Sequence, residues 1–257
     1  MHDVLWLALC STLLAMPLGP ALAQDVAKVL APTGTLRIAV YAGSPTSLVS
    51  DPSGGTARGV TFELGIALAR RLAVPYELVV HQRPAEVLQT MSAGNADITL
   101  TNATAERGRI VDFGPPVMAL ELGFLVRDAA MLDIADIEKP DAAIGVSKGS
   151  TSEKALPQRL PRARIVTAAN LDQAGQMLLR GEIAAFATNK AILFELADRT
   201  PGTRVLDARW GTEHLALAIP KGRDAAKAAL EDFSLDVART LVHDAANRAG
   251  LRGRATD

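Results

Sequence analysis

The chain has 257 residues, 49% of them apolar and 21% charged, enough to bury one large core or two smaller ones. Lys and Arg total 27 against 28 Asp and Glu, for a net charge of -1 without blocks of like charge, and aromatics are 4%. That balance excludes an electrostatic nucleic-acid binder and a base-stacking platform, and the one cysteine, Cys10, excludes an internal disulfide or a Cys-rich zinc site.

Residues 4–23 form the first element. An apolar run from Val4 to Met16 gives way to the helix breakers Pro17, Gly19 and Pro20, then to Ala21-Leu22-Ala23, a small-x-small pattern. This is the layout of a secretory signal peptide over residues 1–23, cleaved between Ala23 and Gln24. The run is short for a membrane span of about 20 residues. Met1-His2-Asp3 carries no Lys or Arg, which departs from the usual basic start of a signal and leaves the true start codon open. Cys10 follows Leu9, where a lipidated cysteine would want a small residue. Removing residues 1–23 leaves 234 residues with no cysteine and no further apolar run of spanning length. The expectation is an exported, soluble chain in the periplasm.

Beyond the signal, β-rich and helix-periodic stretches alternate. Leu36 to Val40 reads as a strand after Pro32-Thr33-Gly34, and Leu64 to Leu72 places apolar residues at helical spacing. Glu77 to Val80 is a strand, Ala85 to Ala93 a helix stopped by Gly94, and Asp97 to Leu100 a strand leading into Thr101-Asn102-Ala103-Thr104. The second half repeats the style, with strands at Ala143–Val146, Ile165-Val166 and Ala184–Ala187, and helices from Ser150, over Leu171–Arg180 and from Lys190. The alternation predicts an α/β fold with mostly parallel sheets. Two longer β-rich runs, Leu120–Val126 and His214–Ile219, bracket this half, and helical stretches at Ala225–Val237 and Leu241–Ala249 follow. The layout predicts a discontinuous first lobe (24–120 plus 214–257), an inserted second lobe (121–213), and two extended connections as a hinge. Ligands favour such an interlobe crevice.

Several motifs resemble those of the family 3 periplasmic solute-binding proteins. Gly59-Val60-Thr61-Phe62-Glu63-Leu64 resembles that family's Gly-Phe-Asp-x-Asp-Leu helix entry, and Gly94-Asn95-Ala96-Asp97 its Gly-x-x-Asp before a strand. Thr104-Ala105-Glu106-Arg107 with Val111-Asp112-Phe113-Gly114-Pro115-Pro116 resembles Thr-x-Glu-Arg…Val-Asp-Phe-Ser-x-Pro. Ile144-Gly145-Val146-Ser147-Lys148-Gly149-Ser150-Thr151 resembles Val-Gly-Val-x-x-Gly-Thr-Thr. Each motif is weak alone, but with the opening strand at Leu36–Val40 they keep register over most of the chain. The resemblance implies a type II periplasmic binding protein, two α/β lobes joined by a two-strand hinge. It further implies a monomeric receptor without cofactor that delivers amino acids or related polar solutes to an ABC transporter permease.

The resemblance assigns Arg107 to the ligand carboxylate, for which a planar guanidinium fork is well suited; the plainer alternative is a pairing with Asp112. Thr104, counted with the ligand-binding residues, can cap the helix that carries Arg107, and Thr101 and Asn102 lie in the loop before it, as cleft donors or as turn residues. Ser150 and Thr151 open a helix whose free N–H groups can hold an anion from the other lobe. Asn189 stands where the family usually places an Asp for the α-amino group, which removes that charge. Glu213 and Glu121 are the carboxylates able to compensate, with hinge roles as the plainer alternative. Ser44, Ser47 and Pro84 replace the family's common aromatics, leaving Tyr41 as a lining candidate, so a cation–π box is not expected. His81, His214 and His243 show no ligand spacing, so no metal is expected.

The leading expectation is therefore a binding protein for a small polar solute with a carboxylate, not an enzyme. Two alternatives remain, a cyclohexadienyl-dehydratase-like enzyme on the same fold, using Glu121 or Glu213 as acid, and a periplasmic sensor or accessory binding protein.

Overall fold

The structure is a computed structural model that describes residues 26–50, 56–127, 134–140 and 142–255. The expected signal at 1–23, with Cys10, lies outside the described residues.

A short helical turn over residues 26–30 (α1) leads into β1 (Leu36–Tyr41), whose apolar side chains are almost wholly buried. Helix α2 (Val60–Leu72) returns the chain to β2 (Tyr76–His81), which pairs with β1 in parallel register from Leu36↔Tyr76 to Tyr41↔His81. The helix packs so closely on β1 that a β-carbon on Gly65 would come within 2.5 Å of Ile38 Cδ1, which explains a glycine inside a helix. Helix α3 (Pro84–Ser92) opens with Pro at its first position, and Glu86 reaches back to accept the Arg83 backbone N–H at 3.2 Å. β3 (Thr99–Asn102) follows, tied to β1 by the parallel bridge Ile38↔Ile98.

Two strands then organise the molecule. β4 (Val111–Arg127) is 17 residues long, and a later strand, Gly211–Pro220, runs back beside it in antiparallel register from Val111↔Pro220 to Leu122↔Gly211. Between them the chain builds β5 (Ala143–Ser147), α5 (Thr151–Arg159), β6 (Arg164–Ala168), α6 (Leu171–Leu179), β7 (Ala185–Asn189), α7 (Lys190–Arg199) and β8 (Thr203–Val205), after a short helix α4 (Ile134–Ile137). The returning strand is β9. It pairs with β3 on one side and β4 on the other, while the far end of β4 pairs with β7 and β8. β4 and β9 therefore join two α/β lobes as a two-strand hinge. Helices α8 (Lys227–Thr240) and α9 (Val242–Arg248) close the chain on the first lobe, where their buried side chains join the core of β1 and α2.

The sheets are mixed, which corrects the expectation of mostly parallel pairing. β1/β2, β5/β6 and β5/β7 are parallel, each reached through a helical crossover. The pairings that involve β4 or β9 are antiparallel, because one strand leaves the first lobe and the other returns to it. The arginine motif was expected on a helix, but it folds as a single 3-10 turn, Arg107–Arg109.

Three apolar clusters fill the molecule. One lies in the first lobe and one, around Phe124 and Trp210, in the second. The third joins Tyr41, Val87 and Met91 of the first lobe to Leu171, Ile192 and Leu196 of the second, so the lobes are closed on one another. The C-terminal segment adds a short strap across the hinge: Glu121 N–H donates to Gly253 O at 3.0 Å and Ala255 N–H to Ala119 O at 3.1 Å. Among the described residues no helix is long and apolar enough to cross a membrane.

Candidate functional site

The interlobe cleft encloses a cavity of about 80 Å³, which is room for several waters or one small solute. The first lobe supplies Tyr41 from the end of β1, Ser44, Thr46 and Ser47 from the following loop, and Pro84 and Val87 from α3. β3 and the turn after it supply Thr101, Asn102 and Arg107. The second lobe supplies Ser147, Ser150, Thr151 and Asn189, and β9 supplies Glu213 and Leu215.

Arg107 is fixed from the backbone outward. Thr104 Oγ accepts the Arg107 N–H at 3.2 Å and so shapes the 3-10 turn, while the guanidinium donates to Thr101 Oγ at 2.7 Å and to Gly149 O of the opposite lobe at 3.0 Å. The residue is 8% exposed and forms no ion pair with a carboxylate among the described residues. Burial weakens its hold on its proton, against the opposing fields of Glu213 and Glu106. A buried cation with acceptors but no counter-charge is costly unless something anionic arrives. The alternative pairing with Asp112 is not formed; Asp112 binds Lys221 at 2.6 Å instead.

The second lobe presents the start of α5 to the same space. Ser150 is the N-cap, its Oγ accepting the Glu153 N–H at 3.2 Å. The first-turn N–H groups of Thr151 and Ser152 have no protein acceptor among the described residues, as helix starts generally leave them. Thr151 Oγ accepts from Asn102 Nδ2 at 3.0 Å, and Asn102 Oδ1 accepts the His214 N–H at 3.0 Å. Tyr41 OH lies 3.0 Å from Ser147 Oγ, and burial pushes its pKa up to about 12. With the Ala85 N–H donating to Lys148 O at 3.2 Å, these contacts hold the lobes shut.

Asn189 and Glu213 form a pair. Asn189 Oδ1 caps α7 by accepting the Ile192 N–H at 3.0 Å, and its Nδ2 donates to Glu213 Oε1 at 2.8 Å. Glu213 is 7% exposed, and burial pushes its carboxyl up despite the field of Arg107 and the Asn189 hydrogen bond. Glu121 faces elsewhere, bound to Lys190 Nζ at 2.7 Å and to Arg209 at 3.4 Å.

Of the residues singled out in the sequence, Arg107, Thr101, Asn102, Ser150, Thr151, Asn189 and Tyr41 line this cavity. Thr104 does not: its side chain turns to the Arg107 backbone, so it positions that residue. Ser44, Ser47 and Pro84 are on the wall, as their replaced aromatics implied. The sequence did not single out Thr46, Ser147 or Thr188. Glu213 was weighed chiefly as a hinge residue, yet β9 alternates Thr212 out, Glu213 in, His214 out and Leu215 in, a pattern that points its carboxyl to the covered face. Among the described residues no group of three or more His, Cys, Asp or Glu is placed to hold a metal ion.

Residues 36–240 match the model of the bacterial extracellular solute-binding proteins, family 3. The ABC transporter glutamine-binding protein GlnH of Bacillus subtilis (strain 168) is 24% identical over 183 residues, 69% of this chain and 66% of its own length. A glutamine-binding protein of Geobacillus stearothermophilus is 24% identical over 179 residues, 67% of this chain and 68% of its own. The chain thus spans about two thirds of the length of these relatives. Among solved structures, the ancestral amino acid-binding protein AncCDT-1, a precursor of cyclohexadienyl dehydratase, superposes with a TM-score of 0.75 at 26% identity, covering 87% of this chain and 98% of its own. A solute receptor for L-cysteine of Neisseria gonorrhoeae superposes with a TM-score of 0.77 at 23% identity, covering 87% and 92%. The two lobes, the hinge of β4 and β9 and the family match over most of the chain agree: this protein belongs to the family 3 bacterial extracellular solute-binding proteins.

Proposed function

We propose that the protein is a periplasmic receptor that closes its lobes, residues 24–120 plus 214–257 and residues 121–213, on a small carboxylate-bearing solute and presents it to an ABC transporter permease. The observation that carries this reading is Arg107, a buried cation without a counter-ion among the described residues, whose bonds to Thr101 and Gly149 leave three of its five N–H donors for a ligand. A carboxylate there also meets the free N–H groups at the start of α5, so one ligand touches both lobes. Contacts of that kind favour the closed form over the open one, which is what drives closure. The names of the two glutamine-binding relatives support an amino acid or related compound.

A thermal-shift screen across amino acids, keto acids, hydroxy acids and dicarboxylates tests the reading, because a ligand that binds only the folded state raises its melting temperature. At least one carboxylate should raise Tm while its carboxamide does not. A screen in which no carboxylate shifts Tm, or the carboxamide matches it, contradicts the proposal. A dehydratase reading has one supporting observation, the buried Glu213 carboxyl in the cleft. Turnover of prephenate or arogenate by purified protein decides it; the binding reading expects none.

A further inference from the structure

Asn189 and Glu213 together carry information that neither carries alone. Asn189 occupies the N-cap of α7 with its oxygen turned to the Ile192 N–H, so the group it turns towards Glu213 is a donor, not an acceptor. The acceptor in this part of the cavity is the Glu213 carboxylate. That carboxylate is buried and among the described residues receives one hydrogen bond, from the neutral amide of Asn189. Arg107 lines the same cavity, yet the two opposite charges form no ion pair. Each is tethered to neutral partners instead, Arg107 to Thr101 and Gly149, Glu213 to Asn189. The result is a small enclosed space with a cation at one wall and a carboxylate at another, held apart.

We propose that Glu213 is the residue that binds the ammonium group of the ligand, taking over from position 189, so that this receptor selects a zwitterionic amino acid over the matching hydroxy or keto acid. The inference rests on the proposed function above and deepens it. The ligand carboxylate lies on Arg107 and the start of α5, the ammonium donates to Glu213, and Asn189 is a positioning residue that orients the carboxylate of Glu213. Burial disfavours the ionised Glu213 in the empty closed cavity, and a cationic group beside it restores that form. Closure is therefore more favourable with both ligand charges in place than with the carboxylate alone.

The rest of the wall limits the side chain. Ser44 and Thr46 bond each other at 2.8 Å, Ser47 accepts the Tyr41 N–H at 2.7 Å, and Pro84 and Val87 complete that side. Among the described residues no charged group remains there to receive a charged ligand side chain, so the ligand class is an amino acid with a small uncharged one.

The test is calorimetric titration of wild type, Glu213→Gln and the double variant Glu213→Gln/Asn189→Asp. The probes are glycine, L-alanine, L-serine, L-cysteine, L-threonine and L-glutamine, with the hydroxy acids L-lactate and glycerate. Wild type should bind at least one of the amino acids and prefer it to its hydroxy acid. Glu213→Gln should weaken that amino acid about 10- to 100-fold, the range for a lost charged hydrogen bond, and change hydroxy-acid binding less than about threefold. Moving the carboxylate back to position 189 in the double variant should recover most of the loss, which a merely structural role for Glu213 would not produce. Amino-acid affinity unchanged in Glu213→Gln, or a wild type that binds lactate as tightly as alanine, overturns the assignment of Glu213 while leaving the carboxylate reading standing. A wild type that binds no carboxylate of any kind overturns both.

Discussion

Gly149 packs directly against Ala85 across the cleft. A β-carbon at position 149 would sit 2.6 Å from Ala85 Cβ and 2.7 Å from its Cα and N, and the Gly149 backbone has φ of +75°. The closed form therefore depends on the absence of a side chain at this point, next to the carbonyl that receives Arg107. Gly149→Ala should hold the lobes apart, weaken ligand binding about tenfold or more, and cost about 1–2 kcal/mol of stability from the left-handed backbone. Small-angle scattering with ligand present checks it: the variant should keep the larger radius of the open form.

Asp97 anchors the first lobe. It has no exposed surface and accepts from the Arg37 backbone N–H at 2.9 Å, from the Arg37 guanidinium at 2.8 and 2.9 Å, and from Arg223 at 2.7 Å. Asp97→Ala would leave two guanidinium groups without their shared counter-charge, and loss of one partner of a buried ion pair costs about 3–5 kcal/mol. Urea unfolding should show that loss at unchanged m-value, with ligand affinity per folded molecule preserved.

Two glutamates give opposite pH signatures. The Lys190 hydrogen bond, with further help from Lys190 and Arg209 charge, holds the Glu121 carboxyl below its ordinary 4.5 in the face of partial burial. A depressed carboxyl stabilises the fold above pH 4.5 and that stabilisation is lost as pH falls through the lowered value. Thermal melts of Glu121→Gln should therefore show a deficit at neutral pH that closes in acid.

Glu213 runs the other way. Burial raises its carboxyl above 4.5, so the ionised group costs stability that is absent below pH 4.5 and grows as pH rises through the elevated value. Ligand-free Glu213→Gln should melt higher than wild type at neutral pH, with the gap vanishing below pH 4.5. A cleft that is stabilised by removing one of its charges is the expected signature of a group kept for binding.

Much of this molecule can be read from its residues. The apolar run of β1, the Pro84 start of α3 and the caps Ser150 and Asn189 fall where local chemistry places them. Arg107 is recognisable by its motif, although Thr104 turned out to shape its backbone instead of the cavity wall. The pairing direction was not legible, because alternation of strands and helices does not reveal that β4 and β9 each run through both lobes. The Asn189–Glu213 bond links residues 24 positions apart on separate elements, so only the fold brings them together. Glu213 shares a face of β9 with the buried Leu215, which turns it inward without aiming it at Asn189. The strap of Gly253 and Ala255 across the hinge has no sequence signal at all.

The central claim is that a ligand carboxylate seats on Arg107, and calorimetric titration of Arg107→Ala with the best carboxylate found for wild type tests it most directly. Truncating one partner of a buried, hydrogen-bonded charge pair costs about 2–5 kcal/mol, so affinity should fall by at least about thirtyfold while the circular dichroism spectrum stays that of wild type. A folded Arg107→Ala protein that binds the same carboxylate as tightly as wild type contradicts the claim.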